Sequence, residues 1–111
     1  GLGIPAEPLF RSRDVLKARE IQRERFAGTG IFCNAEMNGP QLEKYCPLDE
    51  TCKDLLEGII DKLGLSARAY TRVIKIARTI ADLAGSAYIR PEHLSEAAMY
   101  RFLDRQNILE M

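Results

Sequence analysis

Several things are missing from this sequence, and each absence removes a class of function. No stretch follows the G-x-x-x-x-G-K-[ST] pattern, so the chain carries no phosphate-cradling P-loop of its own. There is no C-x-x-C pair and only one histidine, which leaves a zinc site without its usual ligand spacing. Three cysteines make an odd set with no paired framework; free thiols suit a reducing cytosol, and a cytoplasmic location is expected. No run approaches the roughly 20 apolar residues of a membrane span, and no secretory signal pattern opens the chain. The formal net charge is zero, so bulk attraction to nucleic acid is not implied. Strand-like alternation over a useful length is also missing, as is any repeat of fixed period.

What is present is helical pattern. The 111 residues suit one domain, and a hydrophobic content of 46% suits a folded one. The strongest stretch runs from Ser66 to Leu83, SARAYTRVIKIARTIADL. At roughly 100° per residue, Ala69, Tyr70, Val73, Ile74, Ile76, Ala77, Ile80, Ala81, Leu83 and Ala84 fill about half of a helix circumference. Arg68, Thr71, Arg72, Lys75, Arg78, Thr79 and Asp82 fall on the other side, read as the outer face. An apolar face this wide packs against several helices. Charge is segregated along the chain. Residues 11–25 hold six basic and three acidic side chains, 36–61 hold seven acidic and two basic, and 62–79 hold five basic and no acid.

The flanking segments follow. Residues 1–11 hold two glycines and two prolines, and read as an extended lead-in. Ser12 to Phe26 is predicted as a peripheral helix capped by Ser12, with Val15, Ala18, Gln22 and Phe26 in a narrow stripe that includes Arg19. Gly28-Thr29-Gly30 ends it, and Ile31, Phe32 and Met37 anchor the connection that follows. Pro40 to Tyr45 is a short helix with proline at its first position. Asp49 to Leu63 is a long one, with Cys52, Leu55, Leu56, Ile59, Ile60 and Leu63 on its apolar face and Gly64 as its left-handed stop. Ser66 caps the central helix and Gly85 closes it. Ile89 is a core anchor, and Pro91 opens a last helix that runs to about Asn107. The fold class is all-α: a bundle of four main helices plus a short extra one over residues 12–111.

Among the polar residues, Arg68 stands out. It lies two places past the cap Ser66, at a helix start where backbone N–H groups are unpaired and the dipole is positive. Guanidinium forks onto phosphate oxygens and does not lose its charge. Arg72 lies one turn further on, and Lys75 another. Arg78 and Asp82 are four apart and read as a surface pair. Cys33, Cys46, Cys52 and His93 read as packing or surface residues, and no metal site is expected. Gly64-Leu65-Ser66 between two helices also resembles a helix-turn-helix, so a DNA-binding domain remains an alternative, as does a protein-interaction bundle.

A resemblance adds to this reading. Ser66-Ala67-Arg68, then Arg72, the run Lys75 to Leu83, His93-Leu94, Glu96-Ala97 and Tyr100-Arg101 resemble the C-terminal domain of magnesium-chelatase-related AAA+ ATPases, the ComM (YifB-like) branch. Ala18 to Gln22, Arg25-Phe26 and Asn34-Ala35 extend the likeness, which covers about Ser12 to Arg105. Asp14 departs from the family pattern, which has arginine before Val15. The resemblance implies an AAA+ lid-type bundle, preceded by a linker (residues 1–11) from an upstream ATPase core. It implies Arg68 as the sensor-2 arginine, reaching the γ-phosphate of ATP held by that core, with Arg72 as a second nucleotide-side candidate. The chain alone is then no enzyme and holds no cofactor. The implied parent is an ATPase that uses ATP and Mg²⁺, forms a ring with neighbouring subunits, and acts on DNA in uptake and recombination.

Overall fold

The computed structural model describes residues 12–103. The lead-in, the side chains of Ser12 and of residues 100–103, and the predicted helix tail to Asn107 lie outside the described residues. Five α-helices and one 3₁₀ turn make up the described chain: α1 Ser12–Arg25, the turn Asn34–Glu36, α2 Gly39–Tyr45, α3 Glu50–Leu63, α4 Ala67–Leu83 and α5 Pro91–Leu103. No strand occurs among the described residues. The all-α bundle of four main helices and a short one is therefore observed as expected.

Local chemistry sets the helix ends. Asp49 caps α3 by accepting from the Cys52 N–H at 2.8 Å, and Ser66 caps α4 by accepting from Ala69 at 3.2 Å. Asn38 and Gln41 cap α2 reciprocally, at 2.9 and 3.0 Å. Gly64 takes φ +62°, where a side chain would be strained, and the Leu65 N–H then returns to the Ile60 carbonyl at 3.0 Å. That turn redirects the chain from α3 into α4 within three residues.

α4 is the centre of the bundle. It packs along α5, against α1 and against the 3₁₀ turn, while α3 packs on α5. Val73, Ile76, Ala77 and Ala81 are fully buried, together with Leu56 of α3, Leu94 and Ala97 of α5 and Ala18 of α1. Phe26 closes the end of α1 with its ring edge-on to Tyr45, centroids 5.3 Å apart. Ile89 and Met37 are buried as expected.

Four expectations need correction. Phe32 does not anchor its connection but stands 80% exposed, because the Phe32 N–H is held by the Glu36 carboxylate while its ring points away. Arg19 lies on the exposed side of α1, outside the buried stripe of Ala18, Gln22 and Phe26. Leu63 is 44% exposed and Ala84 is exposed, both at helix ends where the core stops. The fourth concerns Arg78, Thr79 and Asp82. They are not an outer face: each is at most 2% exposed.

His93 is buried in the first turn of α5, and its Nδ1 accepts from the Arg90 N–H at 2.9 Å. Burial holds the imidazole below its usual pKa of 6.5, against the pull of Glu92 and Glu96. The unfolded chain thus binds a proton first as the pH falls. The stability His93 contributes is complete above about pH 6.5 and is lost as pH drops through the lowered folded value. The melting temperature should fall between pH 7.5 and pH 5, and His93→Asn should flatten that slope. A slope unchanged by the substitution would contradict this account.

Candidate functional site

The start of α4 breaks a local rule. Helix N-termini favour acids, yet the first turn of α4 contains none and carries Arg68 as its second residue. Arg68 and Arg72 are both exposed. Neither guanidinium makes an ion pair or hydrogen bond among the described residues; only the Arg68 carbonyl is engaged, by the Thr71 hydroxyl at 3.0 Å. Lys75 is different. Its Nζ donates to the Ala35 carbonyl at 3.1 Å, so the third member of the basic row is spent on holding the 3₁₀ turn. The two arginines singled out in the sequence thus lie one turn apart on α4, and both are exposed. Their charge and the positive helix end fit a phosphate oxygen.

At the other end of α4 lies a polar cluster that sequence reasoning missed. Asp82 receives the Arg25 guanidinium in a two-pronged contact, at 2.6 and 2.8 Å. Arg78 Nη2 approaches the same carboxylate at 3.2 Å. Asn34 donates to Asp82 at 2.9 Å and to the Thr79 hydroxyl at 3.0 Å, and accepts from Arg25 at 2.9 Å. The Asn34 N–H in turn donates to Gln22 at 2.8 Å. Arg78 also donates to the carbonyls of Ser86 and Ala87, at 2.8 and 3.1 Å. Burial lowers the Arg78 pKa, and the adjacent Asp82 opposes that shift. The cluster ties α1, the 3₁₀ turn, α4 and the α4–α5 connection into one unit. The Arg78–Asp82 pair is therefore buried and structural, not a surface pair. The signal available was the set Arg25, Asn34, Arg78 and Asp82, all within the family-like motifs, but no spacing rule links positions 57 apart.

No group of three or more His, Cys, Asp or Glu side chains suited to a metal ion occurs among the described residues. Cys46 and Cys52 are buried, and burial pushes each thiol up to about 11. Cys33 is half-buried, and its pKa is also raised, chiefly by desolvation. Alkylation by iodoacetamide in native buffer should modify Cys33 slowly, leave Cys46 and Cys52 intact, and reach all three in denaturant. Fast native labelling of Cys46 would show that its helix end opens.

Among the described residues no helix is long and apolar enough to cross a membrane. Comparison with known proteins matches residues 11–101 to the family described as magnesium chelatase, subunit ChlI C-terminal. The competence protein ComM of Haemophilus influenzae is 48% identical over 91 residues, covering 82% of this chain and 17% of that protein. The YifB protein of Escherichia coli K12 is 42% identical over 91 residues, with the same coverage. A Mycobacterium bovis protein, Mb2921c, is 30% identical over 87 residues, or 78% of this chain and 17% of its own length. The chain thus spans about a sixth of the length of the curated relatives it matches. No solved structure matches it.

Proposed function

The chain belongs to the magnesium chelatase subunit ChlI C-terminal family, as found in ComM- and YifB-like proteins, and from that premise we propose that it is the lid of a chelatase-like AAA+ ATPase with Arg68 as its sensor-2 arginine. The observation that carries the reading is an exposed cation at the wrong end of a helix for stability and the right end for an anion. ATP and Mg²⁺ are held by the ATPase core of the parent. Arg68 reaches across to the γ-phosphate and offsets the charge that builds there during transfer. Arg72, one turn along, meets the core or the neighbouring subunit.

The fold supplies the coupling. Eleven of the 17 residues of α4 are buried. Asp82 locks its far end to α1. A pull on Arg68 therefore moves the bundle as one body. Loss of the γ-phosphate releases that pull, and the lid turns against the core. The parent works as a cytoplasmic ring on DNA, in keeping with the word competence in the name of the Haemophilus relative. A helix-turn-helix reader built on α3 and α4 is the weaker reading. Glu50, Asp54, Glu57 and Asp61 form an exposed acidic stripe on α3, which would repel a phosphate backbone.

The test is ATP turnover by the full-length parent carrying Arg68→Ala, set beside the melting temperature of this chain with the same substitution. Turnover falls and the melting temperature holds. Normal turnover with a destabilised fold would overturn the assignment.

A further inference from the structure

The charge segregation along the chain reappears as two surfaces. Beside the end of α1 runs a groove of about 520 Å³, lined by Arg19, Gln22, Arg23, Phe26, Ile31 and Phe32 among others. Its rim is basic: Arg19 has no ion pair among the described residues, and Arg23 meets only the exposed Glu20, at 3.3 Å. Phe32 projects beside it, 80% exposed. Gln22 is 1% exposed. Its Oε1 is used by the Asn34 N–H, and its Nε2 has no acceptor among the described residues. A buried amide donor without a partner asks for an acceptor oxygen from outside.

The outer side of α3 is the complement. Glu50, Asp54, Glu57 and Asp61 recur at helical spacing and are exposed. Between them a shallow depression is lined by Asp54, Leu55, Gly58, Ile59, Asp61 and Lys62. A Cβ at Gly58 would meet nothing within 4 Å, so a neighbour can approach the backbone there closely.

We propose that the α1 groove of one copy of this chain takes the acidic outer face of α3 from a second copy. Carboxylates of the incoming α3 meet Arg19 and Arg23, and one of them supplies the acceptor that Gln22 lacks. Phe32 covers the depression beside Gly58. The two surfaces lie on different helices, so the contact is head-to-tail and leaves a free groove and a free α3 at the ends. Such contacts close into rings or continue as filaments. This deepens the oligomeric part of the proposed function and does not depend on the role of Arg68.

Sedimentation velocity on this chain tests it. The weight-average mass should rise about twofold or more between roughly 10 µM and 1 mM at low salt, and return to the monomer value near 0.5 M salt, where charges are screened beyond about 4 Å. Arg19→Glu with Arg23→Glu should stay monomeric, as should Asp54→Arg with Glu57→Arg. All four positions are exposed, so circular dichroism should show both variants folded. An equimolar mixture of the two should associate again, because the reversed charges match. Phe32→Ser should weaken association about tenfold without lowering the melting temperature. A monomer at every concentration, or a mixture that fails to recover association, overturns the proposal. ATP turnover of the parent that responds to Arg68→Ala but not to these charge reversals would leave the sensor-2 reading standing and remove only this contact.

Discussion

Asp82→Ala will lower the melting temperature by roughly 15–30 °C or leave the chain unfolded at 25 °C. Asp82 is fully buried and faces two guanidinium groups whose side chains are 12% and 3% exposed, those of Arg25 and Arg78. Removing the shared carboxylate leaves two cations in a low-dielectric interior with no counter-charge. Breaking a buried pair from one side costs about 3–5 kcal/mol. A small domain has only about 5–15 kcal/mol in total. The loss also reaches the neighbours. Asn34 loses the carboxylate that helps hold its amide beside the Thr79 hydroxyl, and the contacts that hold α1 against α4 go with it. Asp82→Asn keeps the shape but brings an amide donor towards guanidinium donors, so it should recover little. Thermal and urea unfolding followed by circular dichroism check both. A shift below about 3 °C for Asp82→Ala would mean that water replaces the carboxylate without cost.

The same residues show where sequence reading succeeds and where it stops. Ser66, Gly64 and Pro91 each act within four residues of their own position, so their roles as cap, stop and helix start were visible in the sequence; Asp49, read as the first residue of its helix, is instead the cap before it. The apolar half of α4 was visible too, because helical period alone reports it. Its other half was not. Periodicity separates polar from apolar residues, but it does not say whether the polar side faces water. Arg78, Thr79 and Asp82 face Arg25, Asn34 and the Ser86-Ala87 backbone instead. These partners come from separate segments, and nothing local announces the pairing. The motif that resembles the chelatase family is largely this buried cluster, so its run from Lys75 to Leu83 reports on architecture. The part of the motif on which the proposed sensor-2 role rests is its short beginning, Ser66 to Arg72.

That beginning is where fold and function separate. Arg68→Ala in the full-length parent should reduce kcat for ATP roughly 10²-fold, the scale seen when one donor to a developing oxyanion is removed. Arg68→Lys should restore part of the loss, since a lysine supplies the charge but not the planar fork. Arg72→Ala should cost less than Arg68→Ala, because it sits one turn further from the helix start. The stability of the chain should move the other way. Arg68 is exposed, has no ion pair among the described residues, and places a cation at the positive end of α4. Alanine removes that repulsion and is a better helix former, so Arg68→Ala should be neutral or stabilising by up to about 0.5 kcal/mol. That pair of outcomes would be a trade between stability and turnover that packing alone does not explain. Should both ATP turnover and melting temperature fall together by comparable amounts, Arg68 would be a structural residue, and the phosphate contact would have to come from another side chain.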